Sequence, residues 1–163
     1  DEALQEVDLH KVLNEVIVEL KPFSTEKKAA IHIDALPKIK AHPSQLFYLF
    51  NNLLSNALKF TAPGVVPLIT IAGAVEKKND CAEKGGIEKE WVKISISDNG
   101  IGFDEIYGHK IFQIFQRLHS QHQFPGTGIG LTICKKVMDN HNGFIEAISK
   151  PGEGSIFNCY FPI

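Results

Sequence analysis

The sequence predicts a two-layer α/β (α+β) sandwich, in which helices cover one face of a mixed, mostly antiparallel sheet. Two observations carry this prediction. The first half of the chain holds two long segments whose apolar residues recur every three to four positions, which is the period of an amphipathic helix. The second half holds segments of alternating apolar residues separated by turn signals. The length of 163 residues suits a single domain over 1–163.

The first half predicts a helix, two short strands and a second helix. Asp8 has the side chain of an N-cap, and Pro43 fits the first turn of the second helix. Pro63 and Gly64 stop that helix. In chain order, the predicted elements are a helix over 8–27, strands over 30–34 and 37–41, and a helix over 44–60.

The second half is richer in strands. The polar stretch 76–90 predicts an exposed hairpin loop without chemistry, because charge clusters are usually solvated. Asn142 and Gly143 form a C-cap signal for a helix that starts near residue 128. The predicted strands cover 68–75, 91–97, 144–149 and 155–161.

The composition of the chain excludes several classes of function. There are 17 Lys and Arg residues against 19 Asp and Glu residues, and this balance argues against a nucleic-acid partner. No apolar run approaches the roughly 20 residues of a membrane span, and no signal peptide opens the chain. Cys81, Cys134 and Cys159 lack metal-ligand spacing and are typical of reduced thiols. We therefore expect a cytoplasmic domain without direct membrane contact, although the sequence leaves open a membrane tether elsewhere in the full-length protein.

The second long helix carries a polar stripe. Asn52, Asn56 and Lys59 lie on one side of it, beside a wide apolar face. One interpretation is an ordinary solvated stripe. However, asparagine is a mediocre helix former, and a merely solvated face would favour Glu, Lys or Gln. Because amide oxygens bind hard cations and lysine contacts phosphate, the stripe is a candidate Mg²⁺–phosphate surface.

Asp98 directly follows a strand. Because side chains alternate along a strand, Asp98 is expected on the same face as the apolar residues of that strand. A carboxylate that faces a core needs a partner, and a ligand amine such as that of adenine would supply one. The alternative is a turn aspartate that binds its own backbone, since Asp98, Asn99 and Gly100 form a strong turn signal. Gly100 and Gly102 allow close approach of the backbone to a flat ring.

The glycines at 126–130 open the last helix. Backbone N–H groups at such a helix start bind anions, although a flexible linker is the alternative. The spacing is not that of a dinucleotide fingerprint or of a Walker A loop.

Four segments in this order resemble the catalytic ATP-binding domain of bacterial sensor histidine kinases, over nearly the whole chain. NNLLSNALKF looks like the N box, DNGIGF the G1 box, IFQIFQRLH the F box and GTGIGL the G2 box. The resemblance implies the Bergerat ATP-binding fold, with ATP and Mg²⁺ as cofactors. It also implies transfer of the γ-phosphoryl group to a histidine on a separate dimerisation domain, with a response regulator receiver domain downstream.

The resemblance also implies roles for individual residues. Asn56 would bind the metal, Asp98 would accept a hydrogen bond from the adenine amine, and Ser155 would bind the base or a water beside it. The segment 104–125 looks like an ATP lid in which Phe112 and Phe115 pin the lid or simply pack in the core. The implied catalytic residues are Asn52, Lys59 and Arg117. The implied nucleotide-binding residues are Asn52, Asn56, Lys59, Phe60, Asp98, Gly100, Gly102, Phe103, Gly126, Thr127, Gly128, Gly130, Leu131 and Ser155.

Two features bear on the reaction. Hydrolysing relatives carry a glutamate one helical turn before the metal-binding asparagine, whereas this chain has Asn52, and an amide is not a useful general base. The sequence therefore predicts poor hydrolysis and a site suited to phosphoryl transfer. None of the seven histidines lies in a phosphoacceptor context, so we expect that the chain does not phosphorylate itself alone. Two alternatives are a self-contained ATPase of the same fold and an interaction module that has lost nucleotide binding.

Overall fold

The computed structural model describes residues 2–79, 86–113 and 130–163. Within these ranges, three helices pack on one face of a five-stranded sheet, as the sequence predicts. In chain order, the elements are β1 (Gln5–Val7), α1 (Leu9–Glu26), β2 (Ala30–Ile33), β3 (Ile39–Ala41), α2 (Pro43–Lys59), β4 (Leu68–Asn79), β5 (Glu88–Asp98), short 3₁₀ turns at Glu105–Tyr107 and Lys110–Phe112, α3 (Gly130–Asn140), β6 (Phe144–Lys150) and β7 (Gly154–Pro162).

The main sheet has the strand order β2-β4-β5-β7-β6. β2 runs parallel to β4, and the other three pairs are antiparallel. The prediction of a mixed, mostly antiparallel sheet is therefore confirmed. β1 was not predicted; it pairs with β3 to form a separate two-stranded sheet, and three residues are too few to show an alternating pattern.

The helices form where their caps and apolar faces predict. The carboxylate of Asp8 accepts a hydrogen bond from the His10 N–H at 3.0 Å, which confirms the N-cap of α1. α2 lies in contact with both α1 and α3, and its apolar face is buried against the sheet. At the end of α3, Asn142 adopts a φ of 53° and the Gly143 N–H donates to the Met138 carbonyl, so the predicted C-cap is confirmed. The buried residues of α2 are Leu46, Leu49, Phe50, Leu53, Leu54, Ala57 and Leu58.

The prediction of a loop over 76–90 is wrong at both ends of that stretch, where residues 76–79 and 88–90 belong to β4 and β5. β4 and β5 stay in register as far as the pair Asn79 and Glu88. The physical reason lies on the sheet face that the helices leave uncovered. There the ammonium of Lys78 contacts Glu146 at 2.6 Å and lies 4.6 Å from the ring centre of Tyr160. A lysine that looks solvated in the sequence therefore covers an aromatic ring.

Two histidines join the start of α2 to the end of α3. The Val137 carbonyl lies 2.7 Å from Nδ1 of His141, and because a carbonyl only accepts, Nδ1 carries the proton. Nε2 of His141 then accepts the backbone N–H of His42 at 3.0 Å. Burial lowers the pKa of His141, and the nearby His42 lowers it further. The fold therefore stabilises the neutral imidazole.

This contact predicts a pH-dependent stability. Because the folded-state pKa of His141 lies below its unfolded value, its contribution is fully present above about pH 6.5 and is lost as the pH falls. Between about pH 7.5 and about pH 5.5, the wild type should lose more free energy of unfolding than His141→Gln. Denaturant unfolding at the two pH values measures this. His109→Gln, at an exposed position, is the control and should behave like the wild type. An equal loss in His141→Gln would contradict the assignment.

Candidate nucleotide-binding site

The predicted site residues converge where α2 ends, β5 ends and α3 begins. On α2, Nδ2 of Asn52 donates to the Tyr48 carbonyl at 2.8 Å. Its Oδ1 lies so close to the start of α3 that a Cβ on Gly130 would approach it to 2.8 Å. Gly130 thus lets the first turn of α3 pack against the Asn52 amide. Leu131 follows it, half-buried.

Asn52, Asn56 and Lys59 are each half-buried, so the stripe is not fully solvated. With the residues that the structure describes, the side-chain amide of Asn56 makes no hydrogen bond, whereas that of Asn52 is held by its own helix. Nζ of Lys59 lies 5.1 Å from the ring centre of Phe60, the C-cap of α2. The end of α2 therefore presents an amide, an ammonium and an aromatic ring side by side.

Sequence reasoning missed Lys27, which follows α1. Its ammonium donates to the Leu58 carbonyl at 2.5 Å and to the Thr61 hydroxyl at 3.3 Å. A cation at the C-terminus of a helix satisfies carbonyls that have no partner within the helix and stabilises the helix dipole. Lys27 thereby fixes the turn of α2 that carries Lys59. A lone lysine beyond a helix gives no sequence signal for a contact 31 residues away.

Asp98 ends β5 and pairs with Ser155 of β7 in the sheet register. Its Oδ1 accepts the N–H of Gly100 at 2.8 Å and the N–H of Ser155 at 3.3 Å. Within the described ranges, Oδ2 has no hydrogen-bond partner. The turn-aspartate interpretation thus holds for one oxygen, and the other is available to a ligand. Burial raises the pKa of Asp98, and the two backbone N–H groups oppose that rise.

Close backbone contacts on both sides hold the loop after β5 in place. The Ile101 N–H donates to the Phe60 carbonyl at 2.8 Å, and a Cβ on Gly100 would collide with that same carbonyl. On the other side, Gly102 has a φ of 65°, and a Cβ there would collide with the Lys150 carbonyl. Only glycine fits these two positions, so the loop keeps a fixed place between α2 and the turn that joins β6 to β7.

Three further residues surround this loop. Phe103 is half-buried, and its ring centre lies 6.5 Å from that of Phe157. Its N–H donates to the hydroxyl of Ser149 at 2.9 Å. Ser155 is buried, with its hydroxyl 2.9 Å from that of Ser149. Ser149 gave no sequence signal, because a serine in a strand reads as an ordinary residue.

The start of the predicted lid is anchored to the core. Phe112 is buried against Phe157, with ring centres 6.4 Å apart, and its carbonyl accepts the Thr132 hydroxyl of α3 at 3.0 Å. This geometry fits both interpretations of Phe112, as lid pin and as core residue. The predictions for Phe115, Arg117, Gly126, Thr127 and Gly128 concern positions outside the described residues.

Among the described residues, no three His, Cys, Asp or Glu side chains lie together as a metal-binding group. No helix in those ranges is both long enough and apolar enough to cross a bilayer. Cys134 and Cys159 are buried free thiols, and Cys81 lies outside the described residues.

Comparison with known proteins identifies the family of this site. Residues 41–163 match the family described as histidine kinase-, DNA gyrase B-, and HSP90-like ATPase. The chain is 38% identical over 156 residues to phytochrome-like protein Cph1 of Synechocystis, covering 96% of the chain and 19% of that protein. It is 34% identical over 163 residues to the adaptive-response sensory kinase SasA of Prochlorococcus marinus, covering 98% of the chain and 39% of that protein.

A solved structure has a similar fold. The full-length structure of ShkA in complex with AMPPNP superposes with a TM-score of 0.74 at 25% identity, covering 99% of this chain and 31% of that one. The chain thus spans less than half the length of each of these three proteins. The family match covers all three elements of the site, so the chain belongs to the histidine kinase-, DNA gyrase B- and HSP90-like ATPase family.

Proposed function

We propose that the chain binds MgATP, with adenine at Asp98 and the phosphates between α2 and the start of α3. It then presents the γ-phosphoryl group to a histidine on a separate dimerisation domain of the full-length protein. The single observation that carries this proposal is that the two carboxylate oxygens of Asp98 differ in their hydrogen bonding. One of its oxygens is held by two backbone N–H groups, and the other has no partner among the described residues.

The geometry of Asp98 favours an amino-purine. A carboxylate accepts hydrogen bonds and donates none, so it attracts the exocyclic amine of adenine and repels a carbonyl oxygen at the same place. Bonds to a charged acceptor are about twice as strong as neutral ones. Because Asp98 is partly withdrawn from water, competition with solvent weakens that preference less than it would at an exposed position.

The metal would be held by Asn56 together with the phosphates. An amide oxygen is a hard ligand suited to Mg²⁺, and this ion keeps several waters and binds through few protein groups. The lack of a carboxylate cluster in the described ranges fits such a site. When bound, the metal would neutralise phosphate charge, while Lys59 would contact the phosphates and Asn52 would hold the start of α3.

The reaction class follows from Asn52. Its Nδ2 donates to its own helix, and an amide does not take a proton from water near neutral pH. Transfer of a phosphoryl group needs positioning and charge neutralisation more than a strong base. The sensory-kinase relative supports a kinase, that is, a transferase. The proposal extends to two-component signalling, with a response regulator receiver domain as the next acceptor.

Asp98→Asn tests the base site. The asparagine Oδ1 can still accept the Gly100 N–H, but the other end of its amide turns a donor toward the adenine amine. Affinity for MgADP should fall by roughly 10- to 100-fold, the worth of a charged hydrogen bond, with little change in melting temperature. Isothermal titration calorimetry and thermal unfolding measure the two quantities. Equal loss of affinity and stability would show that Asp98 is only a turn residue.

A phosphorylation assay tests the reaction class. With radiolabelled ATP, the full-length protein should gain acid-labile phosphohistidine, and Asn56→Ala in that protein should lower the label by at least about tenfold because the metal loses a ligand. Asn14→Ala, an exposed asparagine on α1, is the control.

The chain alone should neither label itself nor release phosphate steadily. Steady turnover by the chain that Asn56→Ala abolishes would favour the self-contained ATPase instead. Failure of the folded chain to bind any nucleotide would favour the interaction module.

A further inference from the structure

Three polar side chains form a row across β6, β7 and β5 on the face that carries the helices. Ser149 is paired with Ser155, and Ser155 with Asp98, in the sheet register. Ser149 and Ser155 are only 3% and 8% exposed. In this row Asp98 has an assigned role as the proposed contact to adenine, whereas Ser149 lies one strand further from the base.

The hydroxyl of Ser149 makes three short contacts. It lies 2.9 Å from the Phe103 nitrogen, 2.7 Å from the Gly154 carbonyl oxygen and 2.9 Å from the Ser155 hydroxyl. A hydroxyl has one proton and two lone pairs. The backbone N–H can only donate and the carbonyl can only accept, so the proton of Ser149 goes to Gly154. The contact to Ser155 is then satisfied only if Ser155 donates to Ser149.

This assignment fixes the polarity of Ser155. Its single proton points to Ser149, so its oxygen offers lone pairs alone to anything that lies beside Asp98. The Asp98 carboxylate also offers only lone pairs. The two side chains therefore form a pair of acceptors at neighbouring positions, with no donor between them.

We infer that Ser149 is a positioning residue that sets base specificity: by taking the proton of Ser155, it keeps the base pocket an acceptor-only surface that selects 6-aminopurines over 6-oxopurines. This inference rests on the proposed function, because it assumes that the base binds at Asp98. A 6-amino group, or a water bound to it, can donate to both acceptors. A 6-oxo group would bring a third acceptor with no donor to meet it, and an unmatched polar contact is costly.

The discriminating measurement compares ADP with IDP, which carry the same phosphates and differ at the 6-position of the base. Calorimetry in Mg²⁺ gives both dissociation constants for the wild type and for Ser149→Ala. Removing the Ser149 hydroxyl frees the Ser155 proton to turn toward a 6-oxo group. The wild type should prefer ADP by at least roughly tenfold, and Ser149→Ala should lower that ratio several-fold. Ser149→Thr keeps the hydroxyl and should restore the ratio.

The outcomes separate this inference from the proposed function. If both affinities fall by the same factor in Ser149→Ala and the ratio stays constant, Ser149 only supports the loop and the inference is overturned. If Ser149→Ala does not fold, Ser155→Ala decides, since an unchanged ratio in that variant removes Ser155 from recognition and also overturns the inference. A wild type that binds neither nucleotide overturns the proposed function itself.

Discussion

The structure depends on one carboxylate that is partly withdrawn from water at the end of a strand. An ionised group in such a place is costly unless hydrogen bonds compensate it, and the N–H groups of Gly100 and Ser155 supply them to one oxygen of Asp98. Both donors belong to backbone that bends closely around the side chain. Gly154, with a φ of 87°, permits the approach on the β7 side, because a Cβ there would collide with the Asp98 carbonyl. The loop conformation and the carboxylate thus require each other.

The same loop connects the proposed base site to the proposed phosphate site. The N–H of Ile101 donates to the carbonyl of Phe60, so the loop after β5 is joined directly to the end of α2. Lys27 holds that end of α2 from the α1 side. Asn56 and Asn52 lie one and two turns back along α2, and Gly130 allows the start of α3 to contact Asn52. A rigid helix therefore sets the distance between the group that would select the base and the groups that would bind the phosphates.

The sequence predicts those features of the structure that depend on neighbouring residues in the chain. The N-cap Asp8, the stripe of Asn52 and Asn56, and the position of Asp98 after a strand follow from periodicity and turn chemistry, and each lies where predicted. Prediction from the sequence fails for contacts between segments that are far apart in the chain. Ser149 binds Phe103 across 46 positions, and the hairpin of β4 and β5 is longer than predicted because Lys78 packs on Tyr160. Such contacts have no period and no motif, so only the folded chain reveals them.

A crystal structure with a nonhydrolysable ATP analogue and Mg²⁺ tests the central claim most directly. We expect the 6-amino group to lie within hydrogen-bond distance of the Asp98 oxygen that the backbone leaves unused, and Asn56 to contact the metal. Clear density for the purine away from Asp98, with the carboxylate still bound only to its own backbone, would contradict it.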